Sequence, residues 1–199
     1  QAARAIRLGE FDACIGGGVE SMSRAPLAVP KAERAYQTGS VTAYDTTLGW
    51  RFVNPRMEEL YGIESMGETA ENLAAEYGIA RGEQDAYALA SHRKATAAQA
   101  ARRFAAELVP VEVTHRRGTS FVAEDESPRA DTSFEALSAL KPAFRKGGSV
   151  TAGNSSGLND GAAAVFLASG EYVEAHGLKP LARVVASAVA GVPPRVMGI

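Results

Sequence analysis

Apolar residues recur along the chain with the periods of helices and strands in turn. Residues 2–8 carry a rough helical stripe that Gly9 ends, and residues 11–15 form a short apolar run that predicts a buried strand. Near the other end, the pattern predicts a strand, a helix and a second strand at residues 149–169, 170–177 and 181–192. Helices that alternate with buried strands predict the α/β fold class.

The middle of the chain follows a different pattern. Residues 24–64 show no period and contain many prolines and glycines, which predicts a long loop region. Ser65 and Glu68 form an S-x-x-E capping box that predicts a helix start, and Gly78 predicts its end. The remaining elements are a helix over 84–106 with Tyr87 on its apolar side, two short strands around Arg117-Gly118, and a short helix stopped by Pro142. The sequence thus predicts an α/β domain in two parts, 1–23 and 146–199, interrupted by an inserted loop domain, 24–145.

Composition narrows the class of protein. The 199 residues are 46% hydrophobic and 22% charged, as in globular chains with a core. A net charge of -2 argues against nucleic acid or an acidic membrane as partner, and no apolar run reaches the roughly 18–20 residues that span a bilayer. One cysteine and three separated histidines predict no metal site. Because the chain starts at Gln1 without a methionine, we expect a fragment of a longer protein.

Cys14, the single cysteine, stands just before the glycines at 16–18. A catalytic thiol needs a helix N-terminus, a histidine or a positive charge to activate it. Cys14 lies instead in a predicted buried strand, where a free cysteine packs as a small hydrophobic residue. We expect a structural role for Cys14, and we expect the glycines to let the strand leave the sheet.

Two further features carry candidate chemistry. Small polar residues and glycines are concentrated at residues 151–161, where they expose backbone N–H groups and hydroxyls. That composition is typical both of a ligand-binding loop and of an ordinary turn. Arg129 lies in an irregular stretch, where a guanidinium either binds a purine or phosphate or is simply an exposed loop cation.

Several segments together resemble the thiolase family. They are GGGVESMSRAP at 16–26, SMGETAENLA at 65–74 and VTAGNSSGLNDGAAA at 150–164. The irregular DTTLGWRFVNPRMEELYGIESMGETAEN at 45–72 is similar to the β-ketoadipyl-CoA thiolase branch in particular. The resemblance implies the layered α/β/α thiolase fold, of which this chain supplies part of the N-terminal domain with its inserted loop domain.

The resemblance also implies a reaction. A cysteine attacks a 3-oxoacyl-CoA, acetyl-CoA leaves, and free coenzyme A (CoA) takes up the shortened acyl group; the reverse is a condensation. The family's reactive cysteine lies in a C-x-S-G segment before this chain. Its other catalytic groups lie in H-P-x-G-x-[ST]-G, N-E-A-F and C-x-G-G segments of the C-terminal half. We therefore expect no catalytic residue in this chain, and Cys14 does not match the family's nucleophile.

The CoA-binding surface is expected to be retained in part. By resemblance, Arg129 lies against the adenine and Met66 lines the acyl or pantetheine end. Ala152, Ser156 and Leu158 follow the pantetheine tunnel, where Ser156 would hydrogen-bond the pantetheine arm.

Two other positions are candidates for substrate choice. Ser65 stands where many family members have histidine, so the substrate preference should change while a helix N-cap is kept. Arg51, in the branch-specific loop, is a hypothetical partner for an adipyl carboxylate.

The resemblance further implies CoA and acyl-CoA as substrates without any other cofactor, a homo-oligomer (dimer or tetramer), and a cytoplasmic location. Two alternatives remain open on the sequence: a non-catalytic CoA- or lipid-binding module, and a subunit-like relic that docks on a complete thiolase.

Overall fold

The computed structural model describes residues 1–199 and contains both helices and strands. The helices are α1 Ala2–Arg7, α2 Pro55–Tyr61, α3 Met66–Glu76, α4 Arg81–Ala100, α5 Phe134–Ser138 and α6 Gly170–Ala175. The strands are β1 Ala13–Glu20, β2 Leu27–Ala28, β3 Tyr44–Asp45, β4 Val111–His115, β5 Gly118–Val122 and β6 Gly161–Ala168. None of the helices combines the length and the apolar character that a membrane span requires.

The chain divides into two compact units. Unit 1 comprises residues 1–53 and 158–192, and unit 2 comprises residues 54–157 and 193–199. The boundaries of the inserted loop domain near residues 24 and 146 stay a prediction.

Unit 1 is built on the antiparallel pair β1–β6, in which Ala13 lies opposite Ala168 and Glu20 opposite Gly161. The prediction that the strand leaves the sheet at the glycines is wrong, because β1 continues through all of them. A Cβ on Gly17 would lie 2.6 Å from the Ala163 carbonyl oxygen of β6. Gly17 therefore allows the close approach of the two strands.

The predicted strand over 181–192 is also wrong, since no regular element forms there. A strand requires a neighbour that takes up its backbone groups. Here the carbonyls of Val184 and Val185 instead accept hydrogen bonds from the Arg7 guanidinium, at 2.8 and 2.9 Å.

Unit 2 contains α2 to α5 and the hairpin β4–β5. The predicted capping box is confirmed, because Ser65 Oγ accepts from Glu68 N and Glu68 Oε2 accepts from Ser65 N. Helix α2, within the predicted loop region, was missed, although Asn54 as N-cap and Pro55 as first residue are typical start signals. Helix α4 begins earlier than predicted because the Glu83 carboxylate accepts from Ala80 N at 2.8 Å.

Buried side chains occur only in unit 2. No residue of 1–53 or 158–192 is buried, and Leu89, Leu137 and Val150 are the buried hydrophobic residues of the whole chain. The accessible surface is 16356 Å², whereas a compact monomer of this size exposes about 9,000 Å². Unit 1 therefore has no core of its own.

We expect the isolated 199-residue chain to show no cooperative thermal transition, because too little apolar surface is buried to offset the entropy of ordering unit 1. Calorimetry of the purified chain measures this directly. A single sharp heat-absorption peak for the monomeric chain would contradict the expectation.

Candidate functional site

Residues 151–157 are the part of the small-residue segment that belongs to unit 2. A buried carboxylate on α3 holds the backbone just before them. Glu71, which is 4% exposed, accepts hydrogen bonds from Ser149 N, Ser149 Oγ and Val150 N at 2.8 to 3.1 Å. Burial raises the pKa of Glu71, but these hydrogen bonds outweigh it and hold the pKa below its ordinary value. Glu71 therefore fixes the backbone that leads into the segment.

A second buried carboxylate, on α4, holds the segment itself. Asp85 is fully buried and accepts from Arg81 Nε at 2.7 Å and from Asn154 Nδ2 at 3.2 Å. Asn154 Nδ2 also donates to the Ser149 carbonyl, and Asn154 Oδ1 accepts from Thr151 N at 2.8 Å. The Asn154 side chain thus closes a turn and ties that turn to α4.

Gly153 lets this turn pack against α5. A Cβ at Gly153 would lie 2.5 Å from Leu140 Cδ1 and 2.7 Å from Leu137 Cδ2. Thr151, which is fully buried, accepts from Gly153 N at 3.1 Å through its hydroxyl. The inner side of the turn is therefore fully used for packing and hydrogen bonding.

The outer side of the segment remains accessible. Ala152, Ser155, Ser156 and Gly157 are exposed, so the predicted pantetheine-binding positions Ala152 and Ser156 face solvent. Asn154 is therefore structural, whereas Ser156 is exposed and its role in binding stays a prediction. Leu158, 55% exposed, belongs to unit 1.

The start of α3 carries Ser65 and Met66. Ser65 is the N-cap, and its backbone and side-chain hydrogen bonds hold the pKa of Glu68 below its ordinary value. Met66 is the first helical residue and is 64% exposed. The capping box therefore fixes the position of an accessible thioether.

Arg129 lies on the loop that follows β5, and it is exposed. Its backbone N donates to His92 Nδ1 on α4 at 3.1 Å. The guanidinium makes no hydrogen bond or ion pair within the chain, so it is available to a ligand. Unit 2 contains five of the residues predicted to bind CoA or its acyl group: Ser65, Met66, Arg129, Ala152 and Ser156.

Arg51 lies in unit 1, in the irregular loop between β3 and α2. It is exposed, and its Nη1 donates to the Gly49 carbonyl at 3.0 Å. Phe52 beside it has φ +53°, an uncommon conformation for an aromatic residue, and its ring packs edge-on against Tyr44 at 5.4 Å. The loop is therefore locally ordered around Arg51.

Unit 1 also brings two family-like segments together. The Asp160 carboxylate accepts from Ser23 N at 2.9 Å and from Ser23 Oγ at 2.6 Å. The hydrogen bonds from the Ser23 hydroxyl and backbone hold the pKa of Asp160 below its ordinary value. The turn after β1 is thus joined to the start of β6.

Cys14 lies within β1, half-buried and opposite Leu167, and its thiol donates to the Ala2 carbonyl at 3.7 Å. Residues 14–17, Cys-Ile-Gly-Gly, do spell C-x-G-G. The C-x-G-G pattern that the family has in its C-terminal half therefore also occurs in this chain, within β1. Histidine, cysteine, aspartate and glutamate side chains form no group of three that could hold a metal ion.

Two concave surfaces lie away from the predicted residues. One is lined by residues of 30–38 and the other by residues 141–147, and none of the predicted CoA-binding residues lines either. The residues that sequence analysis missed are Glu71, Asp85 and Arg81. They are polar positions on helices, where the pattern indicates solvent rather than a buried network.

Comparison with known proteins gives the family. The model for the thiolase N-terminal domain matches residues 1–171. The chain is 55% identical over 196 residues to the β-ketoadipyl-CoA thiolase of Pseudomonas putida, covering 98% of this chain and 49% of that protein. It is 49% identical over 199 residues to the 3-oxoadipyl-CoA/3-oxo-5,6-dehydrosuberyl-CoA thiolase of Escherichia coli K12, of which it also covers 49%.

Solved structures agree with this result. The fold matches the acetyl-CoA acetyltransferase of Bacillus anthracis with a TM-score of 0.84 at 43% identity, covering 99% of this chain and 48% of that one. Human mitochondrial 3-ketoacyl-CoA thiolase matches with a TM-score of 0.82 at 38% identity. The predicted α/β fold class is confirmed, and the chain spans about half the length of the curated relatives it matches. The chain belongs to the thiolase family.

Proposed function

We propose that the full-length protein containing this chain is a thiolase that cleaves a 3-oxoacyl-CoA with free CoA. Its first expected substrate is 3-oxoadipyl-CoA, which would yield acetyl-CoA and succinyl-CoA, and the reverse reaction is a condensation. The acyl-enzyme would form on a cysteine outside this chain. The observation that carries the proposal is the 55% identity, over 98% of the chain, to a protein named β-ketoadipyl-CoA thiolase.

The geometry of unit 2 supports a binding role for this chain. A fixed turn with an inner structural side and an outer exposed side suits an extended pantetheine arm, which needs a rigid surface and few polar contacts. In this proposal the Ser156 hydroxyl hydrogen-bonds the arm, Ala152 lines it, and Met66 meets the acyl or pantetheine end, while Leu158 stays a prediction from the resemblance. The Arg129 guanidinium stacks on the adenine.

The test is thiolysis by the full-length protein. Incubation with 3-oxoadipyl-CoA and CoA should yield acetyl-CoA and succinyl-CoA in equal amounts, measured by chromatography, with slower cleavage of acetoacetyl-CoA. Binding of CoA without any cleavage of either substrate would overturn the proposal and favour a non-catalytic CoA-binding module.

Arg51→Ala should lower kcat/KM for 3-oxoadipyl-CoA at least about tenfold, because a hydrogen bond to the charged terminal carboxylate contributes about 1.5–3 kcal/mol. Cleavage of acetoacetyl-CoA, which lacks that carboxylate, should not change. Arg56→Ala is the matched control, since Arg56 pairs with Glu59 on exposed α2. An unchanged ratio between the two substrates in Arg51→Ala would remove Arg51 from the substrate site.

We also propose that the full-length protein is a cytoplasmic homo-oligomer, a dimer or a tetramer. Unit 1 has no buried residue and exposes many apolar side chains. This supports the proposal, because such a surface is usually covered by further protein. Light scattering of the full-length protein tests this, and a stable monomer at micromolar concentration would overturn it.

A further inference from the structure

Two side chains of helix α4 hold the loop of residues 125–129, which ends at Arg129. His92 Nδ1 accepts from Arg129 N at 3.1 Å, and Gln99 Nε2 donates to the Asp125 carbonyl at 3.3 Å. Both bonds end on backbone atoms of the loop. They therefore fix the path of residues 125–129 rather than any one of its side chains.

The two anchors hold this loop at both of its ends. His92 and Gln99 are seven residues apart, nearly two turns, so they lie on the same face of α4. The helix rises about 10.5 Å between them, while the four residues from Asp125 to Arg129 reach at most about 14 Å. The loop runs antiparallel to α4 and is tied to the helix at both ends.

The two ends of this contact differ in exposure. His92 and Gln99 are half-buried on the helix, whereas Arg129 is exposed and its guanidinium has no partner in the chain. In this contact the Arg129 N–H donates and His92 Nδ1 accepts. The Arg129 side chain is therefore placed through its backbone, and the His92 ring is what places that backbone.

We propose that His92 is a positioning residue for the adenine end of the CoA site, with Gln99 as the second anchor. This inference rests on the proposed function, in which Arg129 stacks on the adenine. His92 touches no substrate. It restricts the loop so that less freedom is lost when the guanidinium binds the ring.

The experiment compares two thiols in thiolysis by the full-length enzyme. CoA contains the adenine, and pantetheine lacks it. His92→Leu should raise the KM for CoA about fivefold, the equivalent of one hydrogen bond, while kcat and the KM for pantetheine stay unchanged. His92→Asn, whose Oδ1 supplies an acceptor close to the position of Nδ1, should restore most of the KM for CoA.

Three further variants make the result specific. Gln99→Leu should shift the KM for CoA in the same direction by a smaller factor, because its bond is longer. His115→Leu is the matched histidine control, since the His115 ring hydrogen-bonds Ser120 within the hairpin β4–β5 and the variant should change neither KM. Arg129→Ala tests the underlying site and should raise the KM for CoA alone.

The outcomes separate the two proposals. If Arg129→Ala is selective for CoA but His92→Leu is not, or if His92→Asn behaves like His92→Leu, the positioning role is overturned and the adenine site stands. If Arg129→Ala affects both thiols equally, the placement of adenine at Arg129 is overturned, and the role of His92 with it. A selective loss in His92→Leu and Gln99→Leu, with rescue in His92→Asn, supports the inference.

Discussion

Asp85→Ala in the full-length protein should lower the free energy of unfolding by about 3–5 kcal/mol, the cost of removing one partner from a buried ion pair. The Asp85 side chain is fully buried, and Arg81 is 25% exposed at its side chain. Without the carboxylate, Arg81 keeps a largely buried charge with only carbonyl partners, at Leu137, Ser138 and Leu140. Urea unfolding followed by circular dichroism measures the loss.

Two controls separate this effect from a general sensitivity to charge removal. Glu59→Ala breaks an exposed pair with Arg56, at 2.9 Å, and should cost less than about 1 kcal/mol. The double variant Arg81→Met/Asp85→Leu removes both charges and should be more stable than Asp85→Ala alone, because no unpaired charge remains. A loss in Asp85→Ala no larger than in Glu59→Ala would show that the buried pair does not stabilise unit 2.

The elements that the sequence predicted well depend on local chemistry. The start of α3 follows from the side chains of Ser65 and Glu68, which act within one helical turn. The hairpin β4–β5 follows from Gly118, whose φ of +131° only glycine adopts easily. Signals of this kind lie within a few residues, so the pattern alone contains them.

The elements that the sequence analysis missed depend on partners far along the chain. The continuation of β1 through Gly17 follows from pairing with β6, whose residues lie far along the chain. The segment 181–192 has a strand-like pattern but no neighbouring strand within this chain. Periodicity reports which residues suit a strand, whereas pairing decides whether the strand forms.

The candidate site shows the same division. The sequence placed Ser156 and Ala152 on a small-residue segment, and the structure exposes both residues. It did not indicate which groups hold that segment, because periodicity treats polar helix positions as solvated. Tyr77, the C-cap of α3, is 56% exposed, while Glu71 within the helix is buried. On α4, Tyr87 is 79% exposed while Asp85 is buried.

Glu71→Ala should be the second strongly destabilising substitution, with a loss of at least about 3 kcal/mol, since hydrogen bonds to a charged acceptor contribute about 1.5–3 kcal/mol each. Glu71 accepts from Ser149 N, Ser149 Oγ and Val150 N, and alanine leaves the two backbone donors unpaired. The lead-in to segment 151–157 would loosen, so the KM for CoA should rise together with the loss of stability. Glu76→Ala, at the end of the same helix, is the exposed control and should change neither quantity.

The pH dependence of stability distinguishes the charge of Glu71 from its shape. Its pKa is lowered in the folded protein, so its contribution is fully present above the ordinary glutamate value of about 4.3. The contribution is lost as the pH falls from that value through the lower folded pKa, because the unfolded chain then binds the proton more readily.

Glu71→Gln keeps the shape but cannot titrate, and its amide group presents donors to backbone donors. We expect Glu71→Gln to be less stable than the wild type at pH 7, with the difference narrowing below the ordinary glutamate pKa. Urea midpoints of both proteins between pH 7 and the acid limit of solubility measure this, and a constant difference across that range would exclude the Glu71 charge as the cause.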